Sequence, residues 1–325
     1  MSAVIETIRD AGRITAICHE NPDADTLGAA LAVQLVARRL GKQSEVVCAD
    51  PVPDYLAFLP GSGAVRRAPA LDPDVAVIVD AGDLPRIGSV AAEHADWLRR
   101  ATIVNIDHHV SNPSFGAANL IDPEAASTCE IIAELLPTLR VALDPELATL
   151  LLAGMVNDTH TFSHPNVTPR TLRVAAELVE AGAALADIHR AIYADKPFST
   201  MALWGLILAG IAERDGGRVV HAAMTRAMLD QTGSAPTASE GFVDMLGMTR
   251  DADITVLFKE IGPQEVRVSV RTSARADAVA VTSAFGGGGH VRAAGCTVTV
   301  PLAEARELVL AECQRELARS DARRH

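Results

Sequence analysis

Residues 13–42 read RITAICHENPDADTLGAALAVQLVARRLGK, and the change of character along this stretch decides the fold. RITAIC (13–18) is a short apolar run of the kind that forms a strand. Beyond it Leu27, Leu31 and Leu35, flanked by Ala30 and Val36, follow helical spacing, and Gly41 is a natural helix stop. Between strand and helix lie His19, Asp23 and Asp25. The two acids repel each other, and none of the three suits apolar packing. Either this is a polar loop of no special interest, or something cationic holds it together.

Working outward, the alternation continues. SEVVCA (44–49), VAVIVD (75–80) and ATIVNID (101–107) are further strands, the last two fully apolar as in a parallel sheet covered on both faces. Helical patterns follow at about 127–139, 145–156 and 170–182. This is a doubly wound, mostly parallel α/β domain. From about residue 215 the texture changes. GGRVVHAAMT, DITVLFKE and EVRVSVRT alternate more clearly, a helix at about 276–285 precedes FGGGGH, and a last helix spans roughly 302–318. That pattern predicts a second, smaller α/β domain with a mixed sheet. The expected organisation is residues 1–185, a helical linker at 186–214, and 215–325.

Composition sets outer bounds. A chain of 325 residues, 49% hydrophobic, is long enough for two cores. The most apolar run, LWGLILAGIA at 203–212, is half the ~20 residues that a membrane span needs. The opening MSAVIETIRDAGR lacks the basic-then-apolar order of a signal peptide. Five scattered cysteines with no Cys-x-x-Cys pair argue against a disulfide framework and a zinc knuckle, and a reducing cytoplasm is the expected home. The formal net charge of −12 makes the chain a poor general binder of nucleic acid and of long duplexes in particular. A small anion remains possible where cations gather locally.

The acids and histidines now fall into a pattern. His19 ends the first strand, Asp80 ends VAVIVD, Asp107 ends TIVNID with His108 and His109 directly after it, and Asp158 follows the helix LATLLLAGMVN. Open parallel sheets bind ligands at the carboxyl ends of their strands. Singly, Asp23 or Asp25 reads as an ordinary helix N-cap and a His-His pair as a surface feature. Those readings do not explain why four separate strand or loop ends all carry ligand-type residues. So many acids in one crevice would raise one another's pKa, and divalent cations remove the conflict. Mixed His/Asp ligation suits Mn²⁺ better than an all-oxygen magnesium cage. In the second half, Gly286, Gly287, Gly288 and Gly289 allow close backbone approaches, so their N–H groups can converge on a phosphate. Arg271, Ser273, His290 and Arg292 would add positive charge and hydrogen bonds.

HENPDAD, the Asp of VIVDAG, DHH and NDT resemble the four motifs of the DHH phosphoesterases. FGGGGHVRAAG with VSVRTS resembles the companion DHHA1 domain. The likeness covers nearly the whole chain and is closest to the short two-domain branch of oligoribonuclease/pAp phosphatases and cyclic-di-AMP or pApA phosphodiesterases. It implies a DHH catalytic domain, a DHHA1 substrate-binding domain and two divalent ions per chain, manganese first, with Mg²⁺ or Co²⁺ as alternatives. By motif position, His19, Asp23 and a bridging Asp80 would hold one ion, and Asp25, Asp80, His108 and Asp158 the other. Asp107 would orient a histidine, and His109 would face the substrate phosphate; with Asp80 these are the implied catalytic residues. The glycine run with Arg271, Ser273, His290 and Arg292 would bind the substrate, across a cleft from the metals. Relatives imply a homodimer.

The resemblance therefore predicts a manganese-dependent hydrolase of pAp, pApA, cyclic di-AMP or RNA of two to four nucleotides. A non-catalytic nucleotide-binding regulator, a RecJ-like single-strand exonuclease and a pyrophosphatase are the alternatives. One departure stands out: after NDT the family usually has Gly, and this chain has His160. It is expected to line the pocket and to bear on substrate preference.

Overall fold

The computed structural model describes residues 1–323, without the side chain of His290. The chain divides into two compact units, Met1–Asp195 and Lys196–His325.

In the first unit β1 (Arg13–Ile17), β2 (Gln43–Val47), β3 (Val75–Val79), β4 (Thr102–Asp107) and β5 (Ala118–Ile121) form one sheet in the order β2-β1-β3-β4-β5. Every pairing is parallel. Both faces of the central strands are apolar, and the alternation of side chains explains why. Val75, Val77 and Val79 enter one core with Ile14 and Ile106, beneath the helices Ala24–Arg39, Thr128–Leu139 and Pro145–Asp158. Ala76 and Ile78 enter the opposite core with Ile17, Val47, Trp97 and Leu98. Helices therefore cover both faces, as the continuous apolar runs require.

The chain leaves β1 for β2 on one side and then crosses to β3 on the other. That reversal opens a crevice at the carboxyl ends of β1 and β3, the place where such sheets bind ligands. Close helix packing sharpens it. A Cβ on Gly28 would meet the Leu150 carbonyl, and one on Gly154 would meet both the Asp25 carboxylate and the Cys129 sulfur. The glycines let the helices beginning at Ala24 and Pro145 approach around Asp25. β5 is a strand that the sequence pattern does not announce, being short and only half-buried at the sheet edge. The helix expected at 145–156 runs on to Asp158.

In the second unit β6 (Ala212–Arg214), β7 (Val219–Met224), β8 (Ile254–Gly262), β9 (Glu265–Thr272), β10 (Gly288–His290) and β11 (Ala293–Val298) form a mixed sheet in the order β10-β11-β9-β8-β7-β6. Only β7 and β8 are parallel. One face packs Val256, Phe258, Val266, Val268 and Val270 against Val309, Leu310 and Leu317 of the helix Leu302–Ala322. The other face packs Val220, Ala222, Met224 and Leu257 against the helices Phe198–Ala209 and Phe242–Leu246. The expected helical linker 186–214 is not one helical segment: the helices Leu185–His189 and Arg190–Ala194 end the first unit, Phe198–Ala209 begins the second, and Ala212–Arg214 is strand β6. Among the described residues no helix is long and apolar enough to cross a membrane.

Candidate metal centre

Three overlapping groups of potential ligand atoms lie at the switch-point crevice: His19, Asp23 and Asp80; Asp25, Asp80, His108 and Asp158; and Asp80, Asp107, His108 and His109. Asp80 belongs to all three. It follows β3 directly, is 3% exposed, and has φ of 57°, a left-handed turn that swings its carboxylate back over the strand ends. Asp and Asn tolerate that conformation better than other residues with a Cβ.

Each neighbour is aimed by a partner. The His19 Nδ1–H donates to the Glu20 carbonyl at 2.7 Å, which leaves Nε2 as the nitrogen that can ligate a metal once deprotonated, 3.5 Å from Asp80 Oδ2 and 3.8 Å from Asp23 Oδ1. Asp23 is also a helix N-cap, accepting from the N–H groups of Asp25 and Thr26. The ordinary reading of that residue and the ligand reading thus coexist. Asp25 is fully buried, and its two oxygens accept from Thr128 N–H at 2.7 Å and Cys129 N–H at 2.9 Å, at the positive end of the helix Thr128–Leu139. His108 Nε2 lies 3.4 Å from Asp80 Oδ1 and 3.2 Å from Asp158 Oδ2. The His109 Nδ1–H donates to Asp107 Oδ1 at 2.6 Å. Asp107 also accepts from the His108 and His109 amides and from the Asn112 side chain, so this buried carboxylate is saturated and fixes the imidazole beside it.

Four contributors were not named from the sequence: Asn112, the Glu20 carbonyl, Thr128 and the Cys129 amide. The Thr128 hydroxyl donates to Asp80 Oδ1 at 3.0 Å. Neither Asn112 nor Thr128 lies in one of the quoted motifs.

The electrostatics fit a cation site. Burial pushes the Asp25 carboxyl well above the usual range, and Asp158 and Asp80 push it further. Burial likewise takes Asp23 up to about 6 against the pull of His19. Burial would raise Asp80 too, but hydrogen bonds from His108 and His19 outweigh it and hold that carboxyl far below the usual range. The histidines respond in kind. Burial opposes protonation of His19, yet Asp80 and Asp23 raise it to about 9, and Asp158 and Asp80 lift His108 well above its ordinary value. Without a metal, imidazolium protons supply the positive charge this crevice requires. Divalent ions would supply it more fully, and the imidazole nitrogens already converge on carboxylate oxygens.

His160 is in none of the three groups. It begins a run of three non-glycine residues, His160, Thr161 and Phe162, with φ of 47°, 54° and 62°. Its ring stacks on His164 at 5.5 Å between centroids and meets Tyr193 edge-on at 4.6 Å.

The residues expected to bind substrate behave differently. Gly288, Gly289 and His290 form a strand, not an open loop, and pair with Gly295, Ala294 and Ala293. The Gly286 and Gly287 amides donate to the carbonyls of Ser283 and Thr282, so these two do not point at a ligand. A Cβ on Gly287 would strike the Gly295 carbonyl, and one on Gly289 the Ala293 carbonyl, so these two glycines permit the close approach of β10 to β11. Around Gly286 and Gly288 space is open. Arg292 Nη1 donates to the carbonyls of Ser273 and Ala276, and the Ser273 hydroxyl donates to Asp253 at 3.0 Å. Arg271 Nε donates to Asp244 at 2.6 Å. The side chain of His290 lies outside the described residues.

The DHH family N-terminal domain model matches residues 13–155, and the DHHA1 domain model matches residues 216–319. A bifunctional oligoribonuclease and PAP phosphatase NrnA of Thermus thermophilus is 33% identical over 98% of this chain and 95% of its own length. The protein of the same name from Bacillus subtilis is 23% identical over 86% of this chain and 87% of its own. An exopolyphosphatase-related protein of Bacteroides fragilis, 22% identical, has the same fold, with a TM-score of 0.91 over 99% of this chain and 98% of that one. With its ligand-type residues gathered at the switch point of a parallel sheet and a mixed-sheet DHHA1 domain following in the sequence, the chain belongs to the DHH family.

Proposed function

We propose that this chain is a two-metal phosphoesterase that hydrolyses short nucleotides to mononucleotides. One observation carries the reading: Asp80 sits in every candidate ligand group, with a separate set of donors on each of its two oxygens. His19, Asp23 and Asp80 would hold one ion, and Asp25, Asp80, His108 and Asp158 the other. Mn²⁺ suits this mixture of imidazole and carboxylate. When bound, the ions would supply Lewis acidity, which lowers the pKa of attacking water and offsets charge on the phosphoryl oxygens.

The chain's own residues do the rest. Thr128 and the two imidazoles keep Asp80 ionised and oriented. Burial opposes protonation of His109, but the hydrogen bond to Asp107 raises its pKa, so it can present an N–H to a phosphate oxygen. Water adds to phosphorus, the P–O ester bond breaks, and the leaving oxygen takes up a proton. The relatives are named as oligoribonucleases and PAP phosphatases, which supports short RNA and pAp as substrates; the length of two to four nucleotides, pApA and cyclic di-AMP are carried by the motif resemblance alone. We read residues 1–185 as the catalytic part, 215–325 as the substrate-binding part and 186–214, mostly helical but ending in the strand Ala212–Arg214, as the connection. The enzyme would act in the cytoplasm as a homodimer, which sedimentation would check.

The test is initial rate against a ladder of end-labelled oligonucleotides from two to about twenty-four residues, with pAp alongside and Mn²⁺ fixed. kcat/KM should be highest at two to four nucleotides or for pAp, and should fall steeply beyond about five. A chain with net charge −12 gains little by extending contacts along a polyanion. Processive degradation of the longest strands at the dimer's rate would return the RecJ-like reading to first place.

A further inference from the structure

Just beyond Asp158 the chain turns through His160, Thr161 and Phe162, all left-handed, with φ of 47°, 54° and 62°. That region costs free energy for a residue with a Cβ, most of all for β-branched Thr161 and bulky Phe162. Local bonds hold the turn. The Thr161 N–H donates to the Val156 carbonyl at 2.8 Å, and the Phe162 N–H to Thr159 Oγ1 at 2.9 Å. The Thr161 hydroxyl and His189 Nδ1 share a hydrogen bond at 2.7 Å. Such strain persists only where the surroundings over-determine it, and it clusters at ligand sites.

The turn displays rings. His160 and His164 lie parallel to within 12°, and Tyr193 meets His160 edge-on. Tyr193 is itself fixed: it packs on the core, and its hydroxyl donates to the carbonyls of Val156 and Asn157 at 3.2 and 3.0 Å. Only 3% of the chain is aromatic, yet one of its two tyrosines gathers here with His160, His164 and His189 out of ten histidines. Rings placed for packing alone would be apolar and buried. His164 and His189 are exposed, and His160 is half-buried. The group is also tied to the metal crevice. The His164 Nδ1–H donates to the Asp158 carbonyl at 3.3 Å, and Asp158 Oδ2 lies 3.2 Å from His108 Nε2. All these residues belong to the first unit.

We propose that His160 and His164, backed by Tyr193, form a stacking platform for the nucleobase of the nucleotide whose phosphate lies at the metal crevice. The inference rests on the nucleotide reading above and deepens it. Every base has a π-face, so the platform would accept any of them and would reject phosphates that carry no base. The selection is made within the unit that bears the metal ligands and needs nothing from the glycine run. Glycine at position 160 would relieve the backbone but supply no ring.

The test is calorimetric titration of the full-length chain, with Mn²⁺ present, against AMP and ribose 5-phosphate. AMP is a product of the proposed reaction, and ribose 5-phosphate keeps its sugar and phosphate but lacks the base. The wild type should bind AMP at least about fivefold more tightly, since stacking one base on aromatic side chains is worth roughly 5- to 150-fold. His164→Ala removes the exposed ring and should shrink that preference. His164→Phe keeps a ring without the bond to the Asp158 carbonyl and should preserve it, which a role confined to holding Asp158 would not. The double variant His160→Gly with His164→Ala should bring AMP to parity with ribose 5-phosphate. Equal wild-type affinities, a preference that survives the double variant, or a His164→Phe variant that behaves like His164→Ala overturns the proposal. Should the double variant fail to fold, the two substitutions at exposed His164 decide. A preference lost in these variants, with no turnover of the oligonucleotide ladder or pAp by the wild type, would sink the phosphoesterase reading and leave the platform. Turnover with no preference for AMP would do the reverse.

Discussion

The two sheets place polar residues in opposite ways. In the first unit the acids and histidines stand at strand and helix ends, where the chain reverses, and neighbouring backbone amides or carbonyls aim most of them. In the second unit the polar residues stand along a sheet face, and several motif residues serve the fold: Arg292 holds carbonyls, Ser273 holds Asp253, and Gly287 and Gly289 let two strands close. The difference teaches that a motif at a strand terminus reports chemistry, whereas a motif along a strand also reports packing.

The comparison can be broken most directly at Asp80. Asp80→Asn keeps a residue suited to φ of 57°, so the fold should survive, but both sets of donors lose their shared carboxylate. Turnover should fall by at least about a hundredfold. Calorimetric titration with Mn²⁺ should pass from two sites per chain to fewer. Near-normal kcat in this variant would end the shared-ligand assignment.

Acidity gives the next largest effect. His19 is raised to about 9 in the metal-free chain, so it carries a proton at neutral pH that a metal ion must displace. Mn²⁺ affinity should therefore climb as pH rises towards 9, by up to about tenfold per unit for each proton released. The sign for stability is the reverse. The stabilisation from protonated His19 is complete below the unfolded histidine value of ~6.5 and is lost as pH rises through about 9. Asp23 contributes a penalty that is already complete above about 6, outside this window. Melting curves from pH 6.5 to 9 should show the metal-free Tm falling while the shift produced by Mn²⁺ grows. A metal-induced shift independent of pH would contradict the protonated crevice.

Asp107 sharpens the contrast more finely. It belongs to neither set assigned to the two ions, although it accepts from the His108 amide, and it fixes His109. Asp107→Asn should lower kcat about 10- to 100-fold, the usual cost of losing an orienting partner. Mn²⁺ stoichiometry should stay at two per chain; loss of a metal would make Asp107 a ligand instead.

The smallest effect is expected at His160. His160→Gly relieves a left-handed backbone but gives up the ring contacts with His164 and Tyr193, so stability should move by no more than about 1 kcal/mol in either direction. Relative kcat/KM for pAp and pApA is the measurement of interest, and an unchanged ratio would remove His160 from substrate selection.

How much was legible follows from the same physics. VAVIVD and ATIVNID announce buried parallel strands because both faces must be apolar, and the residue after each strand is then fixed in space by the sheet. Hence His19, Asp80, Asp107 and His108 could be placed together before any coordinates. Asn112 and Thr128 could not, since each reaches its carboxylate through a loop or a helix start whose position no local pattern encodes. The sequence pattern does not announce β5, β6 or β10, because short edge strands and a glycine run carry no alternation to read, nor β11, whose residues are mostly small.

By itself the sequence determined the alternation of strands and helices, the ligand-type residues at the strand ends and the change of texture near residue 215, because hydrophobic period and chain reversal are local properties. The tertiary structure alone decided which oxygen of Asp80 faces which imidazole, that the second half of the glycine run is a strand, and that Lys259 stands opposite Arg267. Those facts depend on register and on helices packed from distant parts of the chain. A shift of one residue in a ladder would turn Lys259 into the valine core and leave every sequence pattern unchanged.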